Sequence, residues 1–233
     1  MKTFAFIFAR GGSKGVLNKN IKKILGKPLI FYSIQIAKKI KQIDKCFVST
    51  DSNKIAEISK KLGASVIKRP KKLAKDDSSE WDAWQHAIKL VYNKIGIFDK
   101  FISLSPTCPL RNTQDVKSCL RALDKKTDFV VTMSIAKRDP SFNMVKLKNN
   151  GYLDLLGNAN SKMIRRQDSK EIFDLTTGCY VSRPNFILKR RHFWGSKVRG
   201  VLMPEERGID IDTQLDFKIA KYLLTNKKSF LKN

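Results

Sequence analysis

Apolar and polar positions along the chain follow two alternating periods. Residues 3–9 form a short, nearly continuous apolar run rich in Phe and Ile, the pattern of a strand buried on both faces. Behind Pro28, which suits the first turn of a helix, Leu29, Ile30, Tyr32, Ser33, Ile36, Ala37 and Ile40 recur every three or four residues and predict a helix. Residues 46–50 read as a second strand. Asp51-Ser52-Asn53 then supplies an N-cap for a helix carrying Ile55, Ala56, Ile58 and Leu62, closed by Gly63. The alternation continues with strands at 65–68, 100–105 and 129–133 and helices at 80–92 and 113–123. It weakens between about 134 and 175, where Asn149-Asn150-Gly151 marks a hairpin turn. Strands at 177–182 and 198–203 and a helix at 212–224 complete the pattern.

Such β-α-β-α order predicts an α/β fold, a three-layer, largely parallel sheet with helices on both faces. No internal repeat or low-complexity linker interrupts it. The chain of 233 residues therefore reads as one domain over 1–233 with an inserted arm at about 135–175.

Composition narrows the class. With 42% hydrophobic and 29% charged residues the chain has the balance of a globular protein, which excludes collagen-like, coiled-coil and disulfide-scaffold classes. No apolar run approaches the roughly 20 residues that span a bilayer. The apolar opening runs straight into Arg10-Gly11-Gly12 and reads as a first strand rather than a signal sequence. Cys46, Cys108, Cys119 and Cys179 are scattered without metal-ligand spacing, which suits a reducing, cytoplasmic setting and no zinc site. Cys108, His86 and His192 read as packing or surface residues; Trp81, Trp84 and Ile88 make the core stripe of the helix that carries His86.

Charge is the unusual property. The 47 Lys and Arg against 21 Asp and Glu give +26, and residues 1–75 hold 19 of the basic and only 3 of the acidic side chains. A nucleic-acid surface, an acidic membrane and an anionic small substrate all fit such a balance.

Arg10-Gly11-Gly12-Ser13-Lys14-Gly15 directly follows the first strand. In parallel α/β sheets ligands bind at the carboxyl ends of strands. Glycines let backbone N–H groups turn toward an anion, while Arg10, Lys14 and Lys19 bring charge-assisted donors. The segment matches neither G-x-x-x-x-G-K-[ST] nor G-x-G-x-x-G. A tight turn with surface cations is the plain alternative; three cations gathered at one strand end favour phosphate binding.

The run from Phe8 to Asn20, followed by Gly26-Lys27-Pro28-Leu29-Ile30, resembles the opening motif of the acylneuraminate cytidylyltransferases. Val48-Ser49-Thr50-Asp51, Lys68-Arg69-Pro70, Leu73-Ala74-Lys75-Asp76, Ser105-Pro106-Thr107-Cys108-Pro109-Leu110-Arg111 and Asp210-Ile211-Asp212-Thr213 extend the resemblance over nearly the whole chain. It implies a Rossmann-like nucleotide-diphospho-sugar transferase fold that activates a sialic-acid-type sugar acid with CTP. Arg10 and Lys14, with Gly11, Gly12 and Ser13, would then hold the triphosphate. Lys19 would lie near the α-phosphate, Asn20 and Arg69 at the cytidine, and Ser105, Arg166 and Gln167 at the sugar. A homodimer formed through the arm is implied as well.

Asp210 and Asp212 lie two positions apart on an extended segment and so point to one side, where they can share a hard cation such as Mg²⁺. Alone, D-x-D before a helix is more often capping; a phosphate loop elsewhere favours the metal. The resemblance leaves Asp212 as a further candidate for removing the hydroxyl proton. A guanidinium fork pairs bidentately with a carboxylate such as that of a nonulosonic acid, which makes Arg165-Arg166 a candidate for it; two arginines on an exposed loop are the plain alternative.

The match is weaker at the sugar end. Ser105 stands where the sialic acid enzymes usually have Gln, Phe142 or Asn143 near a usual Lys, and Glu80 near a usual small hydroxyl. Legionaminic, pseudaminic and N-acetylneuraminic acids all remain open as substrates. Other readings are a 3-deoxy-octulosonate nucleotidyltransferase, a nucleotide-binding protein without catalysis, and a basic nucleic-acid-binding module. The cytidylyltransferase reading expects CTP and a sugar acid as partners, and neither nucleic acid nor membrane.

Overall fold

The computed structural model describes residues 1–13, 15–157 and 171–226. Lys14, Arg166 and Gln167 lie outside the described residues. The strands are β1 (Thr3–Phe8), β2 (Lys23–Ile24), β3 (Lys27–Pro28), β4 (Lys45–Thr50), β5 (Ser65–Lys68), β6 (Lys100–Ser103), β7 (Phe129–Ile135), β8 (Val145–Leu147), β9 (Leu153–Leu155), β10 (Phe173–Ser182) and β11 (Val198–Leu202). The helices are α1 (Leu29–Lys39), α2 (Asn53–Lys61), α3 (Glu80–Lys94), α4 (Thr113–Ala122), α5 (Pro184–Lys189) and α6 (Gln214–Thr225).

Seven strands form one sheet in the order β11-β7-β10-β6-β1-β4-β5. Every neighbouring pair is parallel except those made by β10, which runs antiparallel to both β6 and β7. Strand β1 shows why both faces are covered. Phe4 and Phe6 join Phe47, Phe101, Phe129, Trp81, Trp84 and Ile187 on the face under α3 and α5. Ala5, Ile7 and Ala9 alternate onto the other face, against Ile30, Ile34, Ile55, Val116 and Leu120 of α1, α2 and α4. The first face is aromatic: Phe6 stacks on Phe101 at 4.9 Å, and Phe129 on Phe193 at 4.6 Å with 9° between rings. A third cluster packs Phe217, Ala220 and Leu224 of α6 against Val16, Ile24, Leu29, Leu110 and Ile211.

Three polar features fix the chain where it crosses the strand ends. Asn112 and Asp115 form a capping box at the start of α4, and Asp115 also takes a two-pronged bond from Arg207, with Nε–Oδ2 and Nη2–Oδ1 both at 3.1 Å. Arg111, 2% exposed, donates to Ser33 Oγ at 2.7 Å, to the Ser105 carbonyl at 3.3 Å and to the Gly178 carbonyl. Its guanidinium thus knits α1, the loop after β6 and the irregular middle of β10 into one unit.

The predicted elements all occur, with shifted edges. β6 ends at Ser103 rather than 105, with one further main-chain bond from the Leu104 N–H to the Phe6 carbonyl at 2.9 Å. β10 begins at Phe173, four residues before the predicted start, and its register on β7 shifts between Leu175 and Tyr180, which hides its period. The last helix starts at Gln214 because Thr213 is its N-cap, bonded reciprocally to Asp216; Asp212 stays on extended chain. α5 was not expected, although Arg183-Pro184 is a helix-start signal. The hairpin at Asn149-Asn150-Gly151 joins β8 to β9, with Gly151 at φ 85°.

Phe129 lies among Trp81, Trp84, Tyr180, Phe186 and Phe193. Phe129→Ala is expected to destabilise the fold by about 3–5 kcal/mol. Urea unfolding checks this as a lower midpoint at unchanged slope.

Candidate functional site

The first strand delivers the chain to its glycine loop at the carboxyl edge of the sheet. Gly12 there adopts φ 70°, which few side chains tolerate. Gly11 donates its N–H to Asp51 Oδ1 at 2.9 Å, and Ser13 Oγ accepts from the Lys19 N–H at 3.2 Å. Asn20, buried, donates its amide to the Arg10 carbonyl at 2.9 Å. These bonds fold the loop over the end of β1. Gly15 then lies so close to the Asp210–Asp212 segment that a side-chain carbon on it would overlap the Asp212 carbonyl oxygen.

That segment is held from the other side. The Ile211 N–H bonds the Thr107 carbonyl at 2.9 Å while the Ile211 side chain is fully buried, so the carboxyls on either side of it turn out of the core. Lys19 Nζ lies 2.8 Å from Asp212 Oδ1. Asp210 is half-buried, and its Oδ1 has no hydrogen-bond partner among the described residues.

Between these walls lies a cavity of about 290 Å³. Arg10, Lys19, Asn20 and Arg69 line it from the side of β1, β4 and β5, and Ser105, Thr107, Thr177 and Asp210 from the side of β6 and β10. Phe8, Leu73, Ala83 and Pro106 give it apolar patches, and Glu80 stands at its rim. Gly11, Gly12, Ser13 and Asp212 lie beside it rather than in its wall. Among the site residues predicted from sequence, the described ones therefore converge on one place, although Arg10 and Asp212 are about two hundred positions apart.

The charges there are tightly arranged. Arg69 is 6% exposed and donates Nη2 to the Ser49 carbonyl at 2.7 Å and Nε to Ser49 Oγ at 3.2 Å. Burial lowers its pKa to about 10, against the support of Asp51 and Glu80; it stays charged at neutral pH. Arg10 pairs with Asp76 at 2.5 Å. Burial foremost raises the Asp210 pKa; neighbouring Asp212 adds to the rise, while Thr107, Lys19 and Thr177 oppose it. Glu80 is likewise raised, chiefly by loss of bulk water, with Asp210 adding to it and Trp84 and Arg69 resisting. Hard carboxylate oxygens beside hydroxyls, one of them buried without a partner, are a donor set that fits Mg²⁺, which needs only one or two protein carboxylates when phosphates supply the rest.

Asp76, Thr107 and Thr177 escaped the sequence reading as site residues. Asp76 and Thr107 sit inside segments already singled out, but nothing in the local pattern marks Thr177. Cys108 is buried, donates to the Arg207 carbonyl at 3.1 Å and has its pKa pushed by burial to about 11, so it is no nucleophile. His86 and His192 do not line the cavity.

A family model described as Cytidylyltransferase matches residues 4–193. The chain is 32% identical over 225 residues to "Post-translational flagellin modification protein B" of Campylobacter coli, covering 95% of this chain and 94% of that protein. It is also 32% identical over 224 residues to "CMP-N,N'-diacetyllegionaminic acid synthase" of Campylobacter jejuni subsp. jejuni serotype O:2, with 95% and 94% covered. With an "N-acylneuraminate cytidylyltransferase" of Escherichia coli O18:K1:H7 it shares 27% identity over 94% of this chain but 51% of that one. Among solved structures, a CMP:2-keto-3-deoxy-manno-octonic acid synthetase complexed with CTP superposes with a TM-score of 0.73 at 17% identity, over 97% of this chain and 100% of that one. That likeness is one of fold, the mostly parallel Rossmann-like sheet of nucleotidyltransferases.

A carboxyl with a raised folded-state pKa contributes stability that is complete below its unfolded pKa and lost as pH rises through the folded value. Ionised Asp210 is thus a cost to the fold at neutral pH. Asp210→Asn is expected to melt higher than the unchanged protein at pH 7, with the gap closing as pH falls through the raised value and gone below about pH 4; thermal melts across pH check it.

Proposed function

As the chain belongs to the cytidylyltransferase family, we propose that it transfers the cytidylyl group of CTP to a nonulosonic, sialic-acid-type sugar acid, giving a CMP-sugar and pyrophosphate. The observation that carries this reading is that one cavity is bounded by Arg10, Lys19, Asn20 and Arg69 on one side and by Asp210 on the other. Arg10 and Lys19, with Lys14 between them in sequence, offer charge to a triphosphate, and Asn20 and Arg69 are assigned to the cytidine. Gly11 and Ser13 shape the loop through their bonds to Asp51 and Lys19; Gly12 provides the turn. Ser105 faces the acceptor side, to which Arg166 and Gln167 are assigned by sequence.

The acceptor's anomeric hydroxyl oxygen bonds to the α-phosphorus, the bond from that phosphorus to the bridging oxygen breaks, and pyrophosphate leaves with the electron pair. Asp210 and Asp212 would hold Mg²⁺, which supplies neutralisation of phosphate charge. Asp212 is also the carboxylate assigned to receive the hydroxyl proton. Positioning and charge do most of the work. Arg10 and Lys19 each face a carboxylate, Asp76 and Asp212; binding a polyanion exchanges those partners for phosphate oxygens.

The sugar acid is proposed to be of the diacylated legionaminic type first, supported by a relative with that substrate in its name that this chain matches almost end to end. We also infer one nucleotidyltransferase unit acting in the cytoplasm as a homodimer. Leu147, Tyr152 and Leu153 of the β8–β9 hairpin are 73%, 71% and 60% exposed, an apolar display that suits a contact between copies. Among the described residues no helix is long and apolar enough to cross a membrane.

Pyrophosphate release is expected only when CTP, Mg²⁺ and a sugar acid are present together. The acids to be compared are N,N'-diacetyllegionaminic, pseudaminic, N-acetylneuraminic and 3-deoxy-octulosonic acids. Lys14→Ala and Asp212→Ala should each lower turnover by about 100-fold or more. Silence with every acid would overturn the reading, and unchanged turnover in Asp212→Ala would remove the metal assignment.

A further inference from the structure

Thr177 is the group in the cavity that neither the glycine loop nor the carboxylate pair accounts for. Its Oγ1 is buried and has no hydrogen-bond partner among the described residues, yet the residue lines the cavity beside Asp210. A buried hydroxyl left without a partner costs about 1–3 kcal/mol, so a wall that presents one is matched to something that enters. Its neighbour Thr176 spends its hydroxyl on Thr132 Oγ1 at 2.7 Å, and Ser105 and Thr107 share theirs with each other at 2.6 Å. Thr177 makes no bond of that kind; its hydroxyl lies beside the Asp210 carboxyl, whose pKa it helps lower.

Its place in the sheet says which substrate it meets. Arg10, Asn20 and Arg69 stand at the ends of β1, β4 and β5, and the nucleotide belongs there on the reading above. Thr177 stands on the opposite side, on β10, beyond β6 in the order β10-β6-β1-β4-β5. Being next to Asp210 it also lies next to the reacting centre rather than at the far end of the acceptor. The backbone holds it firmly: the following residue, Gly178, has its carbonyl bound by Arg111, and a side-chain carbon at Gly178 would press on Thr132 and Met203.

We propose that the Thr177 hydroxyl is an acceptor-binding group, hydrogen-bonded to an oxygen on the reacting carbon of the sugar acid, its carboxylate or its anomeric hydroxyl. This rests on the cytidylyltransferase reading and deepens it. A nonulosonic acid places a hydroxyl and a carboxylate on one carbon, so a short hydroxyl side chain with a fixed backbone reads that carbon and tolerates variation elsewhere in the sugar.

Thr177→Val removes the hydroxyl at constant shape, and Thr177→Ser returns it. Steady-state pyrophosphate release, with whichever acid of the panel the unchanged protein uses, should show kcat/KM for the acid falling about tenfold in Thr177→Val. The KM for CTP should stay within about twofold of the unchanged protein, since no nucleotide contact is lost. Thr177→Ser should restore most of the acid's kcat/KM, and both variants should melt near the unchanged protein. Thr177→Val with unaltered kcat/KM for the acid would overturn the inference while leaving the activity standing. A rise in the KM for CTP alone would move the hydroxyl to the nucleotide and overturn it equally. Failure of the unchanged protein with every acid would instead remove the reading on which it rests.

Discussion

One hydrogen bond, from the Ile211 N–H to the Thr107 carbonyl at 2.9 Å, decides whether the candidate site exists. It fastens the extended chain before α6 to the loop after β6. With Ile211 sunk in the core between Val16, Ile24 and Phe217, the two flanking carboxyls have only the outward side left. The bond is secured from behind. Arg207, three residues before Asp210, is fixed by its two-pronged bond to Asp115, and the carbonyl of the same residue receives Cys108 Sγ. Breaking a buried ion pair of that kind by removing one partner costs about 3–5 kcal/mol, so the segment is anchored by more than its single main-chain bond.

The reversed strand β10 divides the labour of the sheet. A wholly parallel order would bring only loops to the carboxyl edge, whereas β10 runs through that edge in mid-strand and carries Thr177 with it. Its shift in register between Leu175 and Tyr180 is where the strand bends to do so. Arg111 stabilises the bend by taking the Gly178 carbonyl, and through the Ser105 carbonyl and Ser33 it ties the bend to the neighbouring loop and helix. On the proposed function, the groups assigned to the nucleotide stand at parallel strand ends, and those assigned to the acceptor on a loop and a bulged antiparallel strand.

Much of this was legible in the sequence. The Phe-Ile run of β1, the three-to-four-residue stripe of α1 and the capping residue Ser52 are local signals, and local physics wrote them. Arg10, Lys19, Asn20, Arg69, Asp210 and Ser105 could be named because short motifs surround them. What could not be read depends on contacts between distant segments. The early start of β10 is obscured because its register slips, and Thr177 becomes distinctive only once Asp210 is folded beside it. The pairing of Arg10 with Asp76 and of Lys19 with Asp212 likewise has no local signature. The +26 charge misleads if taken whole, since among the described residues Arg10, Lys19, Arg69 and Lys75 are the cations that line the cavity.

Gly15 and Asp212 meet main chain to main chain, with no side chain between them. Their separation is therefore a property of the backbone, like the gap between the jaws of a fixed gauge. Salt, pH and rotamer exchange can alter how Lys19 and the carboxyls are occupied, but they cannot reset that gap. Loop and carboxylate segment therefore move as one body, and a substitution that displaces either displaces both.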